Sequence, residues 1–262
     1  MSTTYKEDLL AAERLLADRS DAPRLDSERI MLDCLQRNES AWIYAHANDD
    51  VPADIHKEFL RKVQLREQGL PLAYILGFQE FFGRRFKVNR HVLIPRPATE
   101  ELVESALVII KRLVSRLGRS IRVADIGTGS GCVAITLALE AGAVVDYIVA
   151  TDISTAALKV AALNAGTLGA AAKVVFIEGN GVAALPKEEV DLIVSNPPYI
   201  PTQELDRALM SSKPEERGLK YEPRLALDGG ANGQDIIETL RHIQTPVVYE
   251  TTGGDIVRLR TE

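Results

Sequence analysis

The residues best suited to chemistry in this sequence are Asn196, Pro197, Pro198 and Tyr199, which follow the mostly apolar run 190–194. A proline locks its own φ and keeps the preceding residue out of the helical region, so two prolines fix the backbone just after the asparagine. The Asn196 side-chain carbonyl and the Pro197 backbone carbonyl then form a rigid pair of hydrogen-bond acceptors.

Such a pair can accept both hydrogens of a planar NH2 group and hold it still. The nitrogen of an amide or aromatic amine is a poor nucleophile, and fixing it in line with an activated methyl group can gain ~7 kcal/mol or more. The acceptors also favour the positive charge that develops on the nitrogen, and Tyr199 can pack against the flat group. The alternative is a simple turn, since Asn-Pro often begins one.

A glycine-rich segment, DIGTGSG at 125–131, lies between a predicted strand and a helix predicted to begin at Cys132. Glycines let the backbone turn sharply and approach a ligand closely. The dinucleotide fingerprint would need a glycine where Cys132 stands, so the spacing is a different one. Asp152 ends the next predicted strand, where it can accept hydrogen bonds from two ribose hydroxyls. We therefore expect a nucleoside-containing cofactor; the alternative is a tight turn with Asp152 as a helix cap.

The elements that must position these residues begin at Ser120. Apolar strands alternate with helical segments from there on, which predicts a parallel sheet covered on both faces. The strands are IRVADI, VVDYIVATDI, KVVFIEGN and VDLIVSN, and the helices between them lie at 132–141 and 155–168. In such a sheet the strand that ends at Asn196 lies beside the first strand. Asn196 and the glycine-rich segment are then expected at the same carboxyl edge, where ligands bind in open α/β sheets.

The preceding part of the chain has a different pattern. Leucines at helical spacing predict a small helical domain, and the aromatic and β-branched stretch after it predicts a hairpin. A helix is expected over 97–117, with Thr99 as a possible cap. The predicted organisation is a helical domain at 1–73, a hairpin linker at 74–95 and an α/β domain at 96–262.

Composition narrows the class of protein. The net charge of −6 and the pI of about 5.4 argue against a phosphate backbone as the main partner. Cys34 and Cys132 form no CxxC pair, and no metal site is predicted. No signal-like or membrane-spanning run is visible. The sequence therefore predicts a cytoplasmic protein in a reducing environment, without membrane contact.

Four stretches together resemble one family. The motif Asn-Pro-Pro-Tyr is similar to that of methyltransferases acting on planar nitrogens. VLIPRPATEELVESAL (92–107), DIGTGSGCVAI (125–135) and YEPRLALDGG (221–230) resemble the release-factor glutamine methyltransferases of the HemK/PrmC family. The resemblance runs to about residue 243. It implies a Rossmann-like class I methyltransferase sheet, with a small N-terminal helical domain joined to it by a β-hairpin.

The resemblance also implies an activity in translation termination. The expected reaction transfers a methyl group from S-adenosyl-L-methionine to the glutamine N5 of the Gly-Gly-Gln motif in peptide-chain release factors. The N-terminal domain would grip the release factor, the protein would act as a monomer, and no direct nucleic-acid substrate is expected.

Site residues follow from the resemblance by position. The catalytic residues would be Asn196, Pro197 and Tyr199. The residues expected to bind the glutamine are Asn196, Pro197, Pro198, Tyr199, Thr99 and Glu100. Those expected to bind the cofactor are Asp125, Gly127, Thr128, Gly129, Gly131, Asp152, Ile153, Asn180 and Asn196.

Three departures from the family pattern stand out. The family usually has an acidic residue where this sequence has Ala98, which is expected to loosen that loop. Asn180 replaces the usual aspartate that meets the adenine amino group, and it offers only a carbonyl. After the helix near 236–243, Gln244 runs directly into PVVYETTGGDIVRLR, which resembles the family's final hairpin alone. A central strand and its helix are then missing from an apparently shortened C-terminal region, unless 247–250 is that strand.

Two other functions stay open. A nucleic-acid amino-methyltransferase acting on adenine N6 or guanine N2 would share Asn-Pro-Pro-Tyr, and its best support is the basic group Arg84, Arg85, Lys87 and Arg90. A catalytically degenerate protein that binds cofactor or release factor without turnover would fit Asn180 and the unusual C-terminal region.

Overall fold

The computed structural model describes residues 3–185, 190–211, 213 and 216–261. The chain folds as two compact units. One consists of the chain up to Gly77 together with Ala208–Tyr221, and the other of Phe78–Arg207 together with Glu222–Glu262.

The first unit is helical. Its helices are α1 (Tyr5–Leu16), α2 (Pro23–Cys34), α3 (Ser40–Ala45), α4 (Ala53–Glu67) and α5 (Leu72–Leu76). Thr4 begins α1 with a capping box, because its hydroxyl accepts from the Glu7 amide while the Glu7 carboxylate accepts from the Thr4 amide. The apolar faces of these helices enclose one core that includes Leu16, Ile30 and Phe59. The predicted helical N-terminal region is confirmed.

The second unit begins with an antiparallel hairpin, β1 (Phe78–Phe81) and β2 (Arg84–Lys87). The remaining strands are β3 (Ile121–Ile126), β4 (Val145–Asp152), β5 (Val174–Glu178), β6 (Leu192–Ser195), β7 (Val247–Glu250) and β8 (Ile256–Leu259). The remaining helices are α6 (Ala98–Leu117), α7 (Cys132–Ala141), α8 (Thr155–Leu168), α9 (Thr202–Met210), which crosses into the first unit, and α10 (Asp235–Arg241).

The six strands from β3 onward form one sheet in the order β5-β4-β3-β6-β7-β8. Every neighbouring pair is parallel except β7 with β8. The chain builds outward from β3 to β5 and then returns to place β6 on the other side of β3. Ligands of open α/β sheets bind where the strand order reverses in this way, so the carboxyl ends of β3 and β6 mark the site. The predicted α/β fold is confirmed.

The C-terminal strands correct one expectation. Val247–Glu250 pairs in parallel with β6 and is buried along its whole length, so the expectation of a missing central strand is wrong and the alternative holds. The chain turns directly from β7 into the antiparallel β8 through Gly253 and Gly254. This turn passes close to the first residue of α6, because a Cβ on Gly254 would lie 3.0 Å from the Cβ of Ala98.

Asn164 on α8 ties the hairpin to the glycine-rich segment. Its Oδ1 accepts from the Lys87 amide at 2.8 Å, and its Nδ2 donates to the carbonyls of Lys87 at 3.0 Å and Ser130 at 2.9 Å. The side chain is 1% exposed, so water cannot replace these bonds.

Replacing Asn164 with alanine is therefore expected to lower the free energy of unfolding by about 3 kcal/mol, because buried backbone groups lose their partners. Urea denaturation followed by circular dichroism measures the loss. Thr167→Ala, at an exposed position of the same helix, is the control. Equal effects of the two substitutions would contradict the structural role of Asn164.

No helix among the described residues has the length and apolar character needed to cross a membrane.

Candidate active site

The glycine-rich segment forms a tight loop between β3 and α7. Gly127, Gly129 and Gly131 all have positive φ angles, of 73°, 55° and 81°, which an L side chain rarely adopts. A Cβ on Gly131 would also lie 2.8 Å from Cδ1 of Ile135. The amides of Gly127 and Thr128 both donate to the Thr151 carbonyl at 2.9 Å. The loop is thus pinned to the end of β4.

Asp125 organises this loop from inside. Its Oδ2 accepts from the Thr128 hydroxyl at 2.7 Å and from the Ala134 amide at 3.2 Å. The side chain is 1% exposed, so any contribution to cofactor binding would act through the loop. Burial raises the pKa of the Asp125 carboxyl to about 6, and the two hydrogen bonds only partly oppose this rise.

The raised pKa of Asp125 predicts a pH dependence of stability. The folded protein holds the proton more tightly than the unfolded chain, so stability falls as pH rises from about 4 to about 6, by about 3 kcal/mol. Asp125→Asn removes this titration while keeping an acceptor for Thr128 and Ala134. Relative to wild type, the variant is expected to gain stability as pH rises from about 4 to about 6 and to keep that gain at higher pH.

Thermal or urea unfolding at several pH values measures this gain. A constant cost of the new amide cancels, because only the pH-dependent difference is compared. Asp146→Asn, at an exposed position of β4, is the control for replacing an aspartate with its amide. A difference between Asp125→Asn and wild type that does not change with pH would contradict the prediction.

Asp152 closes β4 beside the loop. Its Oδ2 accepts from the Gly129 amide and its Oδ1 from the Ser154 amide, both at 2.9 Å. Burial raises the pKa of the Asp152 carboxyl, and these backbone amides oppose the rise. Asp152 is not the cap of α8, because the Ser154 side chain accepts from the Ala157 amide in that role.

The surroundings of Asp152 fit a nucleoside. Cβ atoms on Gly127 and Gly129 would meet no described atom within 4 Å, so the loop leaves room that any side chain would fill. Ile153 is 52% exposed and offers an apolar side chain next to the carboxylate. Asn180 follows β5, the neighbouring strand, and its side chain is exposed. The end of β4 thus supplies an acidic acceptor, Asp152, and an apolar side chain, Ile153. The end of the neighbouring β5 supplies the amide of Asn180.

Asn196 follows β6 at the same edge, next to β3. Its Nδ2 donates to the Thr99 hydroxyl oxygen at 2.9 Å, and the Thr99 hydroxyl donates to Oε2 of Glu250 at 2.7 Å. The Tyr199 hydroxyl lies 3.5 Å from Oε1 of the same carboxylate. Since the Asn196 NH2 group is engaged with Thr99, its Oδ1 is left to accept from another group. Asn196, Thr99 and Tyr199 are therefore brought together around Glu250.

Glu250 ends β7 and is 1% exposed. Burial raises the pKa of its carboxyl, and the hydrogen bonds from Thr99, Tyr199 and Asn196 and the nearby charge of Arg96 oppose the rise. Burial also raises the pKa of the Tyr199 phenol, and the Glu250 charge adds to that rise. Tyr199 is thus a neutral hydrogen-bond donor and packing surface at neutral pH.

The segment 227–233 holds the backbone behind Asn196. The Ile200 amide donates to the Leu227 carbonyl at 3.2 Å, and the Gly229 amide donates to the Ile200 carbonyl at 2.9 Å. A Cβ on Gly229 would lie 2.6 Å from the Pro198 carbonyl oxygen, and one on Gly233 would overlap the Tyr199 carbonyl. The two prolines are therefore fixed from both sides, by their own rings and by a packed glycine-rich segment.

Two motif carboxylates have structural partners. Glu222 accepts from the Ile94 amide at 3.0 Å and from the Arg96 guanidinium at 2.5 Å, which joins YEPR to IPRP. Glu100 accepts from the Phe82 amide at 2.7 Å and so holds the turn of the hairpin. Thr99 does not cap α6, because Pro97 occupies the cap position without a side-chain bond.

The basic group of the hairpin is partly paired. Arg84 donates to Glu140 at 2.6 Å, and the Arg85 guanidinium lies 4.5 Å from the Phe78 ring centroid and 3.5 Å from Glu80. These residues belong to a local network on the second unit.

Sequence reasoning missed two residues of this region, Glu250 and Asn164. An acidic residue at the end of a strand and a polar residue among the alanines and leucines of a helix were the available signals. Neither signal names a partner, because the partners lie 151 and 77 residues away along the chain.

Two family models match the chain. The model described as "Methyltransferase small domain" matches residues 99–212, and the model described as "PrmC N-terminal domain" matches residues 9–77.

Curated relatives extend the match. The release factor glutamine methyltransferase of Neisseria gonorrhoeae is 40% identical over 223 residues, which is 84% of this chain and 75% of that protein. The protein of the same name from Koribacter versatilis is 37% identical, covering 92% and 79%. That from Coxiella burnetii is 38% identical, covering 91% and 80%.

Proposed function

The chain belongs to the release factor glutamine methyltransferase family, and we propose that it methylates N5 of the glutamine in the Gly-Gly-Gln motif of a peptide-chain release factor. The observation that carries this proposal is the orientation of Asn196. Its NH2 group is bound to Thr99, so its Oδ1 is available beside the Pro197 carbonyl to receive the hydrogens of a substrate amide.

S-adenosylmethionine is the methyl donor of this reaction, and its sulfonium makes the methyl group electrophilic. Gly127 and Gly129 would admit it to the loop, Asp152 would accept from the ribose hydroxyls, and Ile153 would pack on the base. Asn180 would meet the base through its amide. Gly131, Thr128 and Asp125 would support this site by fixing the loop.

The protein residues would act mainly by holding the substrate. Asn196 and Pro197 would accept from the two hydrogens of the glutamine NH2, which keeps the nitrogen in line with the methyl group. As the nitrogen–carbon bond forms and the carbon–sulfur bond breaks, the same acceptors would stabilise the positive charge on nitrogen. The extra proton of the product is very acidic and leaves to water, so no strong general base is required. Tyr199 would pack against the amide plane.

The helical unit is part of the proposal as the release-factor recognition domain, with support from the match of residues 9–77 to a family N-terminal domain. The proposal also includes the two expectations from the sequence that the protein is cytoplasmic and that it acts as a monomer. Sedimentation of the purified protein measures the oligomeric state.

Mass spectrometry of a release factor incubated with this protein and S-adenosylmethionine tests the function. We expect one added methyl group on the Gly-Gly-Gln peptide, and none when the glutamine is replaced by alanine. Bound cofactor without any methylated peptide would favour the degenerate binder. Methylation of adenine or guanine in a nucleic acid instead of the peptide would favour the nucleic-acid alternative.

A further inference from the structure

Glu250 is a buried carboxylate that methyl transfer to an amide does not consume. It ends β7, is 1% exposed and accepts from Thr99 at 2.7 Å. A buried charge is costly unless it is hydrogen-bonded, and an apolar residue would fill this strand end at lower cost. The position of Glu250 next to the site therefore points to a function beyond packing.

The hydrogen bonds around Glu250 have a single direction. The Thr99 hydroxyl is the donor in its bond with Oε2 of Glu250, as it has to be whenever the carboxylate is ionised and has no proton to donate. The Thr99 oxygen can then only accept from Asn196, so the group facing it must be the NH2 group. That bond is present at 2.9 Å.

The reversed amide is disfavoured on both sides. Rotating the side-chain amide of Asn196 by half a turn would exchange Oδ1 and Nδ2. Oδ1 would then face the Thr99 oxygen, whose hydrogen is already donated to Glu250. It would also point an NH2 donor at the substrate position, where a substrate NH2 would meet it as a second donor. Two like groups facing each other forfeit the hydrogen bond and leave polar atoms unpaired.

We propose that Glu250 is a positioning residue, which fixes the rotation of the Asn196 amide through Thr99 so that Oδ1 faces the substrate. This deepens the proposed function and rests on it for the identity of the substrate amide. The orientation of Asn196 itself depends only on the three side chains Glu250, Thr99 and Asn196.

Glu250→Gln is the first variant, because it has the same size but carries both a donor and an acceptor. The glutamine amide can donate to Thr99, whose hydroxyl can then donate to Oδ1 of the reversed Asn196. We expect kcat to fall about tenfold while KM for the release factor and Kd for S-adenosylmethionine change less than about twofold. Glu238→Gln, an exposed residue of α10 paired with Arg241, is the matched control and should leave kcat unchanged.

Thr99 provides the second pair of variants. Thr99→Val keeps the shape but removes the hydroxyl, and we expect the same kind of loss in kcat. Thr99→Ser keeps the hydroxyl and should retain activity. If Glu250→Gln does not fold, this pair decides the proposal. A role of Thr99 in packing alone would leave kcat higher in Thr99→Val, which keeps the shape, than in Thr99→Ser.

A spectroscopic readout separates this proposal from the proposed function. In 15N-labelled protein the two Asn196 side-chain NH resonances are assigned by their absence from Asn196→Ala. We expect one of them to be shifted downfield in wild type by its bond to Thr99, and to lose that shift in Glu250→Gln and Thr99→Val. Unchanged Asn196 resonances in these variants, or unchanged kcat in an active enzyme, would overturn the proposal. A wild type that methylates no release factor would count against the proposed function alone, since the spectra still decide the role of Glu250.

Discussion

Asn196→Ala is expected to lower kcat for glutamine methylation about a thousandfold, while Kd for S-adenosylmethionine stays nearly unchanged. The alanine removes the oriented acceptor Oδ1 but leaves the glycine-rich loop and Asp152 intact. The Pro197 carbonyl alone cannot hold both hydrogens of an amide. Single-turnover methylation of a release factor, with product read by mass spectrometry, gives the rate, and titration calorimetry gives the cofactor affinity.

Asn89→Ala is the control for this experiment, since Asn89 lies exposed after the hairpin and its side chain accepts from the nearby His91 amide, away from the glycine-rich loop. It should leave both measurements unchanged. A large loss of cofactor affinity in Asn196→Ala would mean that Asn196 contributes to cofactor binding as well as to methyl transfer, contrary to the separate roles assigned here. A rate near wild type would remove Asn196 from the mechanism.

Asp152→Ala is expected to raise Kd for S-adenosylmethionine about a hundredfold, because hydrogen bonds to a charged group contribute about 1.5 to 3 kcal/mol. The carboxylate is the expected acceptor for the ribose hydroxyls and also orients the Gly129 amide at 2.9 Å. At saturating cofactor, kcat should recover much of its wild-type value, since Asn196 is untouched. Calorimetric titration and a cofactor-dependence of the rate measure the two effects.

Asp146→Ala removes a carboxylate from an exposed position near the start of the same strand and controls for a general change of charge. The prediction fails if Asp152→Ala binds the cofactor as tightly as Asp146→Ala does. It also fails if kcat stays low at every cofactor concentration, because Asp152 would then act in the chemical step.

The sequence predicted the helix at 132–141 and the strand IRVADI with the bounds that the structure has. Both are apolar elements bounded by glycines or by Ser120, so local preferences and periodicity agree there. The adjacency of Asn196 and the glycine-rich loop also followed, because parallel strands bring their carboxyl ends to one edge.

The partners of the polar side chains could not be predicted in the same way. Glu250 meets Thr99 only because β7 lies beside β6 while α6 packs against the sheet, which is a property of the assembled fold. For the same reason the sequence could not decide whether residues 247–250 belong to a final hairpin or form a central strand of the sheet. Parallel pairing with β6 is a long-range choice that neither strand encodes by itself.

Asn164 has a consequence for how the folded protein opens. Its three hydrogen bonds join the end of β2 to the carbonyl of Ser130 in the glycine-rich loop. Segments that share buried bonds tend to open together as one cooperative unit. The Lys87 amide should therefore exchange its hydrogen with solvent at a rate governed by the same opening as the loop amides of Gly127 and Thr128. Cofactor bound at the loop would then slow exchange in a hairpin that it does not touch.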